Sequence, residues 1–250
     1  STRRKLLLVS VAVLLASGCG GSEEQFDLAR NIRDAYVDAQ ESIEVGNYRK
    51  AIGIFEALQA RFPFSQFATQ IQLELAYAYY KDQRAEQAID AADTFLRENP
   101  THSRVDYAMY IKGLAYFERG QSFLERLFRK NINKRPPLDG ELAFSTFSRM
   151  VERYPASPYA ADAQQRMVYL KNRLASYENA VARFYLEREA YVAALNRAKT
   201  AIEVYQGADS GADSLLIIIE AYEGLGMTKL ANDTRRVLEK NFSSNPIAHN

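Results

Sequence analysis

One arrangement of alanine, larger apolar residues and proline recurs along the chain, and it constrains the fold more than any other feature. From Ala51, apolar residues follow four and seven places later, and Pro63 follows twelve places later. Parts of the same order recur from four further alanines, Ala88, Ala143, Ala194 and Ala231. Apolar residues at such spacings share one helix face, and the prolines fall between helical runs. The chain therefore predicts a series of helix pairs that must stack, because one pair cannot bury its apolar face alone.

The first of these units has the spacing of a tetratricopeptide repeat. Gly46 stands at a helix end, Tyr48 follows two residues later, Ala51 and Phe55 lie on the next helix, and Pro63 closes it. The alanine lets two helices approach closely, and the aromatic side chains fill the space beside it. We predict an all-α fold, a solenoid of about five tetratricopeptide helix pairs in a domain over residues 28–242.

Two of the repeats are enlarged, because the intervals between the five alanines are 37, 55, 51 and 37 residues. We predict an insertion near residues 118–140, with Phe123, Leu124, Leu127 and Phe128 on a loop that either tucks under the array or binds a partner. A long helix from Tyr159 to Glu187 explains the second excess. Residues 243–250 are predicted to form a flexible tail.

The amino-terminal residues have the composition of a secretory signal. Arg3, Arg4 and Lys5 precede a largely apolar run over 6–16, which predicts a signal peptide over residues 1–18. That run is too short to span a bilayer. Leu15-Ala16-Ser17-Gly18-Cys19 resembles the bacterial lipobox, which implies cleavage before Cys19 and lipid attachment to it. Several acyl chains would give a stable anchor, and residues 19–27 would form a lipidated flexible tether.

Composition excludes some classes of partner and cofactor. Without the three basic residues of the signal, the 32 lysines and arginines fall to 29 against 31 acidic residues, a balance that disfavours nucleic acid. One cysteine and two histidines supply too few soft ligands for zinc. We expect no metal site and no cofactor besides the covalent lipid on Cys19.

The sequence also lacks the recognised catalytic motifs, such as a nucleophile elbow or a zinc-protease helix. We therefore predict that the chain is not an enzyme. A wall-active enzyme with an isolated catalytic glutamate stays open as an alternative. So does a repeat-containing envelope lipoprotein that coordinates peptidoglycan or division machinery.

Two surfaces could bind partners. Tyr36, Tyr77 and Tyr80 fall on first helices, where they either line a groove for an extended peptide or pack within the helix pairs. Arg61, Phe62 and Phe64 form a corner that is either a plain turn or a rim contact. Arg188 and Arg197 belong to a basic second half, which is either a solvated face or a docking face for an acidic partner.

Seven stretches of the sequence together resemble the BamD family of outer-membrane assembly lipoproteins. They are Gly46–Ile52, Arg61–Phe64, Ala76–Lys81, Asn99–His102, Asp106–Tyr110, Phe144–Phe147 and Leu170–Ala175. A single repeat matches many proteins, whereas this ordered set is specific. Gly20, rather than Asp, after Cys19 is similar to the outer-membrane sorting class of lipoproteins. The resemblance implies a lipid-anchored protein on the periplasmic face of the outer membrane.

The resemblance also implies a function and a set of partners. The chain would be a non-enzymatic scaffold subunit of the β-barrel assembly complex, binding the periplasmic domain of BamA, the lipoproteins BamC and BamE, and unfolded barrel precursors. Arg197 falls in the segment that is similar to the family's BamA contact, and Arg188 is the second candidate there. Tyr36, Arg61, Phe62, Phe64, Tyr77 and Tyr80 would border the precursor site. The basic run Lys130–Arg135 departs from the family pattern.

Overall fold

The computed structural model describes the backbone of residues 20–129 and 137–242 and the side chains of residues 30–119 and 137–242. The predicted signal peptide over 1–18, Cys19, the basic run over 130–135 and the tail over 243–250 lie outside the described residues. The described backbone forms ten helices and no strand. The all-α prediction is confirmed.

The helices are numbered here in chain order. They are α1 (Gly20–Glu44), α2 (Tyr48–Arg61), α3 (Ala68–Lys81), α4 (Ala85–Glu98), α5 (Val105–Arg129), α6 (Leu138–Arg153), α7 (Ala160–Leu186), α8 (Tyr191–Glu203), α9 (Gly211–Gly224) and α10 (Thr228–Phe242). The chain divides into two compact units, Ser1–Gln87 and Ala88–Asn250. In the first unit α1 packs on α2 and α2 on α3, and in the second unit each helix from α5 to α10 packs on the next, which is the contact order of a helical-repeat protein.

The five repeat alanines all lie in the core of the described chain. Each of them, Ala51, Ala88, Ala143, Ala194 and Ala231, is fully buried. The large side chains beside them, Phe55, Phe95 and Phe147, are fully buried as well. In the first unit this core joins α1, α2 and α3 through Ala39, Phe55 and Ile71. The repeat inferred from sequence spacing is therefore also a repeat of buried positions.

Four helix pairs share the same tight turn. Gly46 and Gly226 adopt positive φ angles of 77° and 72°, and Gln83 and Glu189 take the same conformation at 62° and 58°. Each residue stands five places before a repeat alanine, and the residue after it donates a backbone hydrogen bond five residues back, as in Asn47 N to Ser42 O at 2.7 Å. This is a left-handed helix cap, which glycine adopts without strain. In the third pair the equivalent position, Leu138, already lies in α6.

Two predictions about irregular segments are wrong. Residues 20–27 were expected to form a flexible tether, but α1 begins at Gly20, so this stretch is helical. The insertion near 118–140 was expected to be a loop, but α5 continues to Arg129 and α6 begins at Leu138. Phe123 and Phe128 therefore lie on a helix. The prediction of one long helix over 159–187 is confirmed by α7.

Two glycines inside helices receive aromatic rings from neighbouring helices. A methyl group on Gly113 of α5 would overlap the ring of Phe147 on α6, and one on Gly224 of α9 would overlap the ring of Tyr191 on α8. Gly53 of α2 differs, because nothing lies within 4 Å of a methyl group built there. Glycine costs about 1 kcal/mol relative to alanine in a helix interior, so the first two glycines compensate that cost by packing.

We predict that Gly113→Ala and Gly53→Ala change thermal stability in opposite directions. Gly113→Ala should lower the free energy of unfolding by about 2 kcal/mol, since the ring of Phe147 must move in a close-packed core. Gly53→Ala, the matched control, should raise it by about 1 kcal/mol through helix propensity alone. Thermal unfolding followed by circular dichroism measures both. Equal shifts for the two variants would contradict the packing described for Gly113.

Candidate functional site

Arg197, the predicted docking residue of the second half, is held by a buried carboxylate. Its Nη1 donates to both carboxylate oxygens of Glu178 at 3.2 Å, which joins α8 to α7. The Glu178 side chain is 5% exposed, whereas that of Arg197 is 42% exposed. The guanidinium therefore has one edge fixed by the protein and another open to solvent. A cation held in this way is preorganised to meet an acidic group of a partner.

A second carboxylate shares the same guanidinium. Glu141 in the first turn of α6 has a raised pKa because of its burial and, secondarily, because of the negative charge of Glu178, while Arg197 opposes the shift. Burial also raises the pKa of Tyr205, with further contributions from the charges of Glu141 and Glu178. We call Glu141, Tyr177, Glu178, Arg197 and Tyr205 the Arg197 cluster. When both carboxylates are ionised, two negative charges face one positive charge in a half-buried site.

Arg188, the second predicted docking residue, has a different setting. Its guanidinium lies 3.5 Å from the centre of the Phe184 ring, and Nη1 donates to the Phe184 carbonyl at 2.9 Å. The side chain is 54% exposed, and its distance to the Glu187 carboxylate is 3.8 Å. Such an exposed ion pair contributes little to stability. Arg188 is therefore a cation that can be exchanged without disturbing the fold.

The first unit separates the residues that were predicted to line one peptide groove. Tyr36 is 8% exposed, stacks on Phe67 with ring centres 5.0 Å apart, and lies 5.8 Å from the ring of Phe55. Its hydroxyl accepts a hydrogen bond from Gln40, and burial raises its pKa to about 12. Tyr36 is a core residue, so its prediction as a groove residue is wrong. Period alone could not distinguish the core face of α1 from an open one.

Arg61 and Phe62 do line a groove, which we call the α1–α2 groove. It has a volume of about 580 Å³. Its lining residues are Asn31, Ala35, Arg49, Lys50, Gly53, Ile54, Ala57, Leu58, Arg61 and Phe62. The floor is apolar and small, and the lining contains three basic residues and no acidic one.

The other predicted residues of the first unit lie outside this groove. Phe64 is 99% exposed, in the turn between α2 and α3. Tyr77 on α3 packs edge-on against Tyr48 at 6.5 Å, and the ammonium of Lys81 lies over that second ring. Tyr80 is half-buried on the same helix. The six predicted residues therefore lie in at least three different environments and do not line one groove.

The described part of the chain contains neither a metal site nor a helix that could span a membrane. Across residues 30–119 and 137–242, no group of histidine, cysteine, aspartate and glutamate side chains is arranged to hold a metal ion. No described helix is both long and apolar enough to cross a bilayer. Cys19, the predicted lipid attachment site, lies outside the described residues.

Comparison with known proteins identifies the family. The model of the YfiO family, described as "Outer membrane lipoprotein", matches residues 29–238. The chain belongs to this family. The BamD assembly factor of Neisseria meningitidis serogroup A is 41% identical over 249 residues, which are 98% of this chain and 93% of that protein. The BamD proteins of Vibrio cholerae and Haemophilus influenzae are 38% and 34% identical over 233 and 238 residues, covering 92% and 95% of this chain and 95% and 90% of those proteins.

All three relatives carry the name outer membrane protein assembly factor BamD. The resemblance inferred from seven short stretches is thus confirmed over nearly the whole chain. A solved structure of MamA aligns at 14% identity with a TM-score of 0.38, covering 87% of this chain and 94% of that one. Superposition this loose says nothing about function.

Sequence reasoning missed three residues of this BamD-family chain. No role was predicted for Glu178, but the residue is buried and is the partner of Arg197. Glu141 carried no signal, because its neighbours in the cluster come from α7, α8 and the segment that follows α8. Gly53 could have been noticed as a glycine in the middle of a strong helix. The first two depend on tertiary contacts that no local pattern contains.

The Arg197 cluster predicts a pH-dependent stability difference. The pKa of Glu141 is raised in the folded state, so its proton is favoured there, and stability falls as pH rises through that pKa. Glu141→Gln should therefore raise the melting temperature at pH 7.5, and the gain should vanish as pH falls to about 4, near the ordinary glutamate pKa.

The matched control is Glu152→Gln, an exposed glutamate on the same helix. It should leave the melting temperature nearly unchanged at both pH values. A Glu141→Gln variant that is less stable than the parent chain at pH 7.5 would show that the carboxylate is stabilised in the cluster, contrary to this description.

Proposed function

We propose that this chain is a non-enzymatic scaffold subunit of the outer-membrane β-barrel assembly complex. The carrying observation is the YfiO family match over residues 29–238, which includes most of the described helical repeat, together with the assembly-factor name of its relatives. Stacked helix pairs provide extended surfaces on which several partners bind at once. In this proposal the chain positions other subunits and substrates and performs no covalent chemistry.

The proposed partners fall into two groups. Arg188 and Arg197 dock the periplasmic domain of BamA, and BamC- and BamE-type lipoproteins bind elsewhere on the repeats. Unfolded barrel precursors bind the first unit near Phe64, Tyr77 and Tyr80. A lipid on Cys19 holds the chain at the periplasmic face of the outer membrane. The exposed edge of Arg197 and the solvent-facing Phe64 support these assignments.

The BamA proposal is tested by reversing the charge of Arg197 alone and by neutralising Arg197 together with Glu178. Arg197→Glu should weaken binding of the purified BamA periplasmic domain about tenfold, an effect of the size expected for a close charge pair. It should also cost about 2 kcal/mol of folding stability. That is less than the cost for a fully buried pair, because the guanidinium is partly exposed.

The double variant Glu178→Gln/Arg197→Gln separates the two effects. A neutral pair should recover most of the stability, while BamA binding stays weak because the cation is absent. Arg97 is an exposed arginine on α4. Arg97→Glu therefore controls for the change in net charge that Arg197→Glu makes. Isothermal titration calorimetry measures binding. Parental affinity in the double variant would remove Arg197 from the docking surface.

The precursor proposal predicts that Phe64→Ala weakens binding of a peptide carrying a barrel-terminal signal by about tenfold. The loss would come from binding alone, because Phe64 is 99% exposed and contributes almost nothing to the core. Site-specific crosslinking to the peptide measures the effect. Tyr36→Phe is the control, since it keeps the buried ring and should leave crosslinking unchanged. Undiminished crosslinking of Phe64→Ala would place the precursor elsewhere.

A further inference from the structure

The α1–α2 groove borders the core of the first unit, because Leu58 in its lining is buried and Ile54 and Phe62 pack against that core. The opposite face of α2 carries Ala51, Ile52 and Phe55 into the core, where Ile71 and Leu75 of α3 join them. Gly53 and Ala57 on the groove side are exposed. The pair α1 and α2 thus presents two faces, of which one receives a helix and the other is open.

No contact within the described part of this chain explains why position 53 is a glycine. A glycine in the middle of a helix lowers stability unless something uses the missing side chain. Gly113 and Gly224 each accommodate an aromatic ring of a neighbouring helix, Phe147 and Tyr191 respectively. At Gly53 no atom lies within 4 Å of the position that a Cβ atom would take. The groove therefore has room for a ring in the same setting, although no described residue of the chain supplies it.

The basic side chains around the groove indicate which charges should flank such a ring. Arg61 is exposed and forms no ion pair among the described residues. Lys50 pairs with Asp38 at 2.7 Å with both side chains half-exposed, and Arg49 reaches Asp82 only at 3.4 Å while 81% exposed. The exposed Lys50–Asp38 pair contributes little, and Asp82 is already paired with Arg84 at 2.8 Å, so Lys50 and Arg49 can both turn to a new partner. An incoming group with carboxylates would meet three available cations.

We propose that the α1–α2 groove is a docking site for an α-helix of another protein, one that carries an aromatic residue flanked by acidic residues. The ring packs on Gly53, between Ala57 and Ile54, and the carboxylates face Arg49, Lys50 and Arg61. Along α2 the lining extends from Arg49 to Phe62, a length of about 20 Å. Small residues on the floor let a third helix approach closely.

A helix fits this groove better than other occupants of the same charge. A membrane surface is flat, so anionic headgroups could reach the exposed cations but no bilayer group could enter the recess over Gly53. The precursor site proposed above centres on Phe64, Tyr77 and Tyr80, which do not line the groove. The two sites share only the neighbourhood of Arg61 and Phe62, so they can be separated by mutation.

The test uses the full chain in detergent and a synthetic helical peptide as the probe. The peptide has one phenylalanine at its centre and glutamates one turn before and one turn after it. Fluorescence anisotropy should show binding that weakens at least tenfold with Gly53→Leu, which fills the recess. Ala57→Leu, a second exposed groove position, should have the same effect. Ala60→Leu adds the same bulk at an exposed α2 position outside the lining and should leave binding unchanged.

Two further arms test the chemistry and the occupant. Replacing the peptide's glutamates with glutamines, or its phenylalanine with alanine, should weaken binding about tenfold. A barrel-signal peptide should bind Gly53→Leu as it binds the parent chain, and should lose affinity only with Phe64→Ala. Failure of the precursor proposal would appear in the Phe64 arm and leave the Gly53 arm intact.

The proposal is overturned by any of five results. The helical peptide fails to bind the parent chain, or it binds Gly53→Leu and Ala57→Leu with parental affinity. Gly53→Leu instead abolishes binding to vesicles of phosphatidylethanolamine and phosphatidylglycerol, or self-association of the chain in sedimentation velocity. Finally, Gly53→Leu abolishes binding of the barrel-signal peptide, which would make the groove part of the precursor site.

Discussion

Close approach of helices at small residues is the constraint on which the rest of this structure depends. Each repeat alanine is fully buried, and an aromatic or long apolar side chain fills the space beside it. In such packing a change of one methyl group is felt, because the interior has almost no free volume. The same rule extends to Gly113 and Gly224, where the neighbouring ring comes within reach of the helix backbone. It also makes Gly53 informative, because that glycine lowers helix stability but no aromatic ring of the described chain packs on it.

Polar groups are also buried where these helices meet. The Arg197 cluster shows the consequence: Glu178 is buried at the junction of α7 and α8, and Arg197 neutralises it while keeping one edge in solvent. A buried carboxylate without a partner is costly, so the arginine serves the fold as well as any partner. Binding measurements on Arg197 variants therefore need the paired Glu178 change, whereas those on Arg188 do not.

Sequence reasoning succeeded where local pattern and tertiary packing agree. The five alanines, the all-α class, the long helix α7 and the family were all accessible, because period and spacing report directly on which face of a helix is buried. Tyr36 was wrongly predicted to line a groove. Its face of α1 is apolar whether it lines a groove or packs in the core, and only the positions of Phe55 and Phe67 show that it packs in the core. Glu141 and Glu178 were out of reach for a related reason: their environment is assembled from three helices. The expected tether over 20–27 and the expected loop near 118–140 failed because polar or basic composition does not by itself end a helix.

The central claim is that this BamD-family chain is a scaffold for barrel assembly. Affinity isolation of the chain from detergent-solubilised envelopes, with identification of the bound proteins, is the decisive experiment. We expect an outer-membrane barrel protein with periplasmic domains to be recovered in amounts comparable to the bait, and in smaller amounts with the Glu178→Gln/Arg197→Gln double variant. Recovery of peptidoglycan-binding or division proteins instead, with no barrel protein and no response to that variant, would contradict it.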